Sequence, residues 1–190
     1  MRFALAVGWI LVAGAVHAGG ALPLQPARHI DIDTDEGTWL SPDLSPDDGT
    51  IVFEMLGDLY RIPAQGGEAR ALTRGMAFDS QPVFSPDGRD IAFISDRSGS
   101  ENIWVIAGDG SNPRQLTDLD EDSVFASPAW SADGKSIFVS RYRAANNGFE
   151  LWRYKVAGGA GELLIPIKAT PDQPREERSS VLGAFPSGRT

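Results

Sequence analysis

The chain has 190 residues, 42% hydrophobic and 9% aromatic, with a formal net charge of −9. That composition can build one packed domain and speaks against global disorder, and so acidic a surface repels phosphate backbones, which argues against nucleic acid as a partner. There is no cysteine, which excludes disulfides, thiolate metal sites, a cysteine nucleophile and a lipid-modified N-terminal cysteine.

Residues 1–18 read as a secretory signal. Met1-Arg2 gives a positive start, Phe3 to Val16 is an apolar run, and Val16-His17-Ala18 offers small residues at the two positions that a signal peptidase reads. The run is too short to cross about 30 Å of hydrocarbon, so no membrane insertion is expected after cleavage. The mature chain is then expected in the periplasm, with secretion to the exterior as the alternative. Residues 19–37 form a leader: Gly19 to Pro26 is small and Gly/Pro-containing, and Ile30 and Ile32 alternate with Asp31 and Asp33, the period of a short half-buried strand. That strand could pair with a sheet elsewhere and close a ring.

Three copies of one unit follow, at 38–79, 80–124 and 125–166. Each opens on a proline (Pro42, Pro82, Pro128) with Leu44, Phe84 or Trp130 two residues later. Proline lacks a ladder donor and belongs at a strand start or edge. A turn comes next: Ser45-Pro46-Asp47-Asp48-Gly49, Ser85-Pro86-Asp87-Gly88 and Ser131-Ala132-Asp133-Gly134. Serine, proline, aspartate and glycine in that order are type I turn preferences, and a three-residue hairpin loop with a glycine bulge is expected. The extra Asp48 predicts a first loop one residue longer, with Gly49 in the place of Gly88 and Gly134.

Second strands are expected at Ile51-Val52-Phe53, Ile91-Ala92-Phe93 and Ile137-Phe138-Val139, and third strands over Asp58–Ile62, Asn102–Ile106 and Glu150–Tyr154, each with an aliphatic followed by an aromatic (Tyr60, Trp104, Trp152). Fourth strands end in Leu72-Thr73 and Leu116-Thr117, with Leu163-Leu164 as a degraded third copy. Gly66-Gly67, Asp109-Gly110 and Gly158-Gly159 supply the hairpins before them. Each unit is thus a four-stranded antiparallel meander with two apolar faces, which must stack on neighbours. Radial stacking at a period of about 40–45 residues gives a β-propeller of typically four to eight blades. The expected fold is all-β, an incomplete propeller of three blades. Phe53, Tyr60, Phe84, Phe93, Trp104, Trp130 and Trp152 are expected to pack between blades. Residues 167–190 read as a linker and, from Ala184-Phe185-Pro186-Ser187-Gly188-Arg189, the start of a truncated fourth blade.

The run Ser85-Pro86-Asp87-Gly88-Arg89-Asp90-Ile91-Ala92-Phe93-Ile94-Ser95-Asp96-Arg97, with Asn102-Ile103-Trp104-Val105 and Gly108-Asp109-Gly110-Ser111-Asn112-Pro113-Arg114-Gln115-Leu116-Thr117, resembles the repeat of TolB-type β-propellers. The flanking runs Asp33–Trp39, Leu56–Tyr60 and Gly75–Pro82 are similar to exported proteins in which such a propeller precedes a metal-dependent amidohydrolase domain. That resemblance implies a non-catalytic segment for interaction or substrate gating, whose partner is its own downstream catalytic domain or an envelope protein. Any divalent metal would sit in that downstream domain. Two alternatives remain: a stand-alone TolB-like envelope protein, or the propeller of a prolyl-oligopeptidase-type serine peptidase.

No catalytic, cofactor-binding or metal-binding residue is expected within the 190 residues. Metal centres of that hydrolase class need several His ligands, and the chain has two, His17 and His29. No Gly-x-Ser-x-Gly elbow or phosphate-binding glycine loop occurs. The acidic groups Asp31, Asp33, Asp35, Glu36 and Asp118, Asp120, Glu121, Asp122 invite a calcium reading. From Asp31, however, the sixth and twelfth places of an EF-hand loop hold Glu36 and Pro42, not Gly and Glu. Arg61, Arg97, Arg141, Arg143 and Arg153 could line a channel for acidic peptide termini, against the plainer reading of scattered surface charge.

Overall fold

A computed structural model describes residues 32–119, 123–144 and 147–167. Among them are twelve strands in three antiparallel sheets of four. The first blade holds β1 (Asp43–Leu44), β2 (Thr50–Met55), β3 (Asp58–Pro63) and β4 (Arg70–Ala71). The second holds β5 (Asp79–Phe84), β6 (Asp90–Ser95), β7 (Asn102–Ala107) and β8 (Arg114–Gln115). The third holds β9 (Ser123–Trp130), β10 (Ser136–Arg143), β11 (Gly148–Lys155) and β12 (Glu162–Ile165). Strand order within each sheet follows the chain, so every blade is a meander, as the repeat requires. The protein is an all-β, incomplete propeller. Ile32 to Leu40 form no strand; the rest of the expected leader strand, the signal segment, His17, His29 and the expected fourth blade lie outside the described residues.

The Ser-x-Asp turns differ from expectation in two respects: each loop has four residues and not three, and the first is no longer than the others. In all three, the first serine's N–H donates to the carbonyl five residues on, Ser45 to Thr50, Ser85 to Asp90 and Ser131 to Ser136, each at 2.8 Å. The loops therefore have equal length, four residues, and Asp48 is no insertion. Asp48 takes the left-handed position (φ 57°) that Gly88 (φ 71°) and Gly134 (φ 67°) take in the other copies, and Gly49 stands where Arg89 and Lys135 do. Aspartate tolerates that conformation better than most side chains. Each serine hydroxyl donates to the turn aspartate (Ser45–Asp47, 2.5 Å; Ser85–Asp87, 2.7 Å; Ser131–Asp133, 2.6 Å) and accepts the N–H of residue 50, 90 or 136. That is why serine and aspartate recur together.

Stacking makes two cores. Val52 and Leu59 of the first blade cover Ile91, Phe93 and Ile106 of the second, with Leu72, Phe84 and Trp104 at the margin. Ala92, Ile94, Ile103 and Val105 of the second cover Phe125, Ile137, Val139 and Tyr154 of the third, with Trp130 and Trp152 beside them. Each fully buried Ile, Val or Phe contributes about 1.5–3 kcal/mol. The recurrent Leu-Thr of the fourth strand also has a role: Thr73 and Thr117 hydroxyls accept the N–H of Leu59 and Ile103, both at 2.9 Å.

Candidate functional site

A meander puts its features at two ends. At one end lie the Ser-x-Asp turns. The other, here called the rim, carries the β2–β3 and β6–β7 hairpins and the crossovers into β5 and β9. The rim carries buried polar atoms without partners among the described residues and several exposed large apolar side chains. Leu56, in the β2–β3 turn, is 72% exposed, Phe78 59% and Met76 45%. Leu56 is held in a left-handed conformation (φ 56°). The neighbouring Gly57 carbonyl accepts the Asp79 N–H at 2.8 Å, and a Cβ at Gly57 would lie 3.3 Å from the Phe78 ring. Val124, at the start of β9, adds a fourth exposed side chain on the third blade.

Behind this apolar lip sits a charged group drawn from two blades. Asp79 is buried and its Oδ2 accepts from Arg97 at 2.6 Å. The Arg97 guanidinium also donates to the Ser95 hydroxyl and lies 5.0 Å from the Phe93 ring centroid and 5.1 Å from that of Trp104, a cation–π seat that fixes its direction. Asp58 of the first blade faces the same group. Burial pushes its carboxyl above the usual range and the nearby Asp79 adds to that, while Arg74, Thr73 and Arg97 pull the other way. Asp58 Oδ1, Asp79 Oδ1 and Trp104 Nε1 are buried without a hydrogen-bond partner among the described residues. Buried polar atoms are paired in the great majority of cases, so this corner holds unused capacity for polar groups.

The inner strands β5 and β9 add a second irregularity. Gln81 (φ 51°) and Ser127 (φ 55°) each precede a proline and sit at a register shift in their strand, conformations that cost about 1–3 kcal/mol apiece. The N–H freed at each bulge is taken by a neighbouring blade: Glu54 accepts from Gln81, and the Gln81 side-chain carbonyl accepts from Ser127 at 2.7 Å. Glu101 accepts the Phe125 N–H at 3.1 Å in the same manner. Burial raises the Glu54 and Glu101 carboxyls above their usual range; hydrogen bonds to them work against it, and Asp96 adds to it at Glu101.

The sequence-predicted residues divide between these regions. Ser45, Asp47, Gly49, Ser85, Pro86, Asp87, Gly88, Ser131, Asp133 and Gly134 all lie at the turn end. Phe84, Phe93, Trp104, Trp130 and Trp152 lie in or beside the inter-blade cores, whereas Phe53 and Tyr60 stack on each other at 5.7 Å on the outer face of the first blade. Of the five arginines considered for a channel, Arg97 is at the rim. Arg141 stacks on Trp152 at 4.9 Å and donates to Ser123 and Tyr154; Arg61 ties to the Gly108 carbonyl of the next blade. Arg143 and Arg153 pair with Glu150 and Glu162. Trp39 is exposed. Sequence reasoning passed over Asp58, Asp79, Glu54 and Gln81; the recurrence of a polar residue before proline at 81–82 and 127–128 was the available signal. Among the described residues there is no histidine and no group of three carboxylate or other metal-binding side chains placed to hold an ion. The described rim can bind and orient polar and apolar groups and supplies no imidazole base.

The model of the tricorn protease N-terminal beta propeller domain matches residues 36–182. The chain is 41% identical over 69 residues to the uncharacterized peptidase YuxL of Bacillus subtilis, covering 36% of this chain and 10% of that protein. It is 43% identical over 58 residues to the Tol-Pal system protein TolB of Bordetella pertussis, covering 30% of this chain and 13% of TolB. A solved TolB-like protein from Agrobacterium tumefaciens superposes with a TM-score of 0.59 at 25% identity, over 67% of this chain and 50% of that one. The chain thus spans half or less of the length of each of these relatives.

Proposed function

The chain belongs to the tricorn protease N-terminal β-propeller family, and from that premise we propose that it is a non-catalytic, TolB-like propeller unit of a periplasmic hydrolase, admitting and orienting polypeptide at its rim. The observation that carries this reading is the contrast between the two ends. The turns close their own hydrogen bonds, while the rim joins Leu56, Met76 and Phe78 to the underused polar corner of Asp58, Asp79 and Arg97. A lip of that kind suits unfolded chain, which brings apolar side chains and unpaired amides together. Of the parent enzymes that the sequence raised, a peptidase is the one we adopt, a reading supported by the likeness to the uncharacterized peptidase YuxL. An amidohydrolase parent, with its divalent metal in a downstream domain, rests on the resemblance of Asp33–Trp39, Leu56–Tyr60 and Gly75–Pro82 alone. A stand-alone envelope role is favoured by the likeness to TolB.

Fluorescein-labelled casein peptides titrated into the chain, followed by anisotropy, test the proposal. Binding without cleavage is expected, weakened at least tenfold by Leu56→Asp with Phe78→Asp. Cleavage by the chain itself, or binding indifferent to those substitutions, overturns it.

A further inference from the structure

One position of the repeat is used differently in each blade. Register places Asp58, Asn102 and Glu150 at the same point of the third strand, each four residues before the partner of Ile51, Ile91 or Ile137. In the second blade Asn102 Oδ1 accepts from the Thr117 hydroxyl at 2.8 Å and the Leu119 N–H at 2.9 Å. In the third, Glu150 pairs with Arg143 and accepts from the Trp152 indole N–H at 3.2 Å. Asp58 keeps the bond to the threonine, here Thr73, but its Oδ1 is buried with no partner among the described residues.

A second oxygen of this kind lies nearby on the next blade. Asp79, its side chain 2% exposed, gives Oδ2 to Arg97 and leaves Oδ1 unpartnered, and its charge is felt at Asp58. The Asp79 N–H meets the Gly57 carbonyl at 2.8 Å, which holds the two segments side by side. Ionised carboxylate oxygens only accept, and burial works against the Asp58 charge, so a ligand that brings positive charge gains most here. Arg74 stands near Asp58 without filling Oδ1. Hard divalent cations take six or more oxygen ligands, and no group of three such side chains occurs among the described residues. A lysine ammonium needs fewer: it has three donors, at the end of a slender apolar stem. Leu56 stands two residues before Asp58 and Phe78 one before Asp79, so the exposed apolar lip borders both carboxylates and suits that stem.

We propose that this corner is a lysine-binding site, taking the side-chain ammonium of a lysine in a bound polypeptide between Asp58 Oδ1 and Asp79 Oδ1, with the stem along Leu56 and Phe78. The proposal rests on the reading of the rim as a polypeptide-binding lip and names the side chain that the lip selects. The net charge of −9 draws basic segments toward the chain. A free amino terminus offers the same ammonium, but its charge sits on the backbone itself, with no narrow stem to reach oxygens so deeply set.

The test titrates the chain with the fluorescein-labelled peptide acetyl-Gly-Leu-Lys-Leu-Gly, followed by anisotropy. Two controls replace the lysine by Nε-acetyl-lysine or norleucine; a third carries norleucine and a free amino terminus. The lysine peptide is expected to bind about tenfold more tightly than any control, the order of one hydrogen bond to a charged group. Asp58→Asn, which copies the side chain of the second blade, is expected to bring all four together with circular dichroism unchanged. The comparison of peptides on the unaltered chain decides by itself should that variant misfold. Equal binding of lysine and norleucine peptides, or a preference that survives Asp58→Asn in a folded chain, overturns the lysine site while casein peptides still bind the lip. A free amino terminus that matches lysine also overturns it. Binding of none of these peptides, casein peptides included, overturns the functional reading along with it.

Discussion

The turn end and the rim are made from the same twelve strands, yet they use their carboxylates in opposite ways. At the turns, Asp47, Asp87 and Asp133 lie at the surface, and the serine hydroxyl two residues before each is the main cause holding its carboxyl below the ordinary range, helped by the backbone N–H two residues after it. At the rim and along the inner strands, Glu54, Asp58 and Glu101 are pushed upward, chiefly by burial. The lesson is one of distance along the chain. A turn can satisfy itself within five residues and so repeats unchanged, whereas a rim assembled by two blades depends on neighbours that differ from blade to blade.

The largest test of that contrast is Arg97→Ala. It strips the guanidinium from Asp79, whose side chain is 2% exposed against 19% for Arg97, and it removes the cation above Phe93 and Trp104. Leaving a buried carboxylate unpaired costs about 3–5 kcal/mol, to be read by urea denaturation. Adding Asp79→Asn to the same chain should recover a large part of the loss. A double variant no better than the single one would mean that Arg97 acts by packing alone.

Next in size is a matched pair of hydroxyl deletions. Thr117→Val removes the acceptor of the Ile103 N–H and the donor to Asn102 Oδ1 (2.8 Å), both buried, at about 1–3 kcal/mol. Ser85→Ala removes the acceptor of the Asp90 N–H and the donor to Asp87; Ser85 is itself buried, but the Asp87 carboxylate lies at the surface and can turn to water, so the change should cost about 1 kcal/mol. Equal costs would erase the distinction between a structure closed over its own polar groups and one sealed from water.

The opposed carboxylate shifts also give opposed pH dependences. A carboxyl lowered in the fold contributes stability above its unfolded value that is lost as pH falls, so the turn aspartates act below 3.8. A carboxyl raised in the fold favours the folded state while protonated, and that contribution is lost as pH rises through the folded value, so Glu54 and Glu101 act from 4.5 upward. Glu54→Gln should therefore flatten the decline in stability above 4.5 and leave the acid limb untouched, whereas Asp87→Asn should flatten only the acid limb. Melting temperatures between pH 3 and pH 7 separate the two.

How far each region was legible in the sequence follows from the same distances. Ser85, Asp87 and Asp90 satisfy one another within five residues, so the turn could be read directly, and repetition at a spacing of about 40 residues then implied sheets that stack. The rim and the inner strands rest on Asp79 meeting Arg97 eighteen residues on and Glu54 meeting Gln81 after 27. No local pattern announces such pairs, because they exist only once the blades are packed. Even at the turn one point is not legible: Asp-Asp-Gly looks like an insertion as long as glycine is expected in the left-handed position, which Asp48 takes instead.

That last point yields the smallest effect and the most discriminating one. Gly88 has φ +71°, and a Cβ there would lie 3.3 Å from Pro46; a left-handed alanine costs roughly 1–2 kcal/mol, so Gly88→Ala should destabilise by about that amount. Gly49 has no left-handed φ, and a Cβ would meet Asp47 no closer than 3.4 Å, a distance that ordinary packing tolerates. With no strain to add, Gly49→Ala acts mainly by narrowing the conformations of the unfolded chain and should stabilise by about 0.4–1 kcal/mol. If the first loop carried an inserted residue with Gly49 at the bulge, the two substitutions would destabilise alike. The sign of the Gly49→Ala shift in a urea midpoint therefore decides whether all three turns share one length.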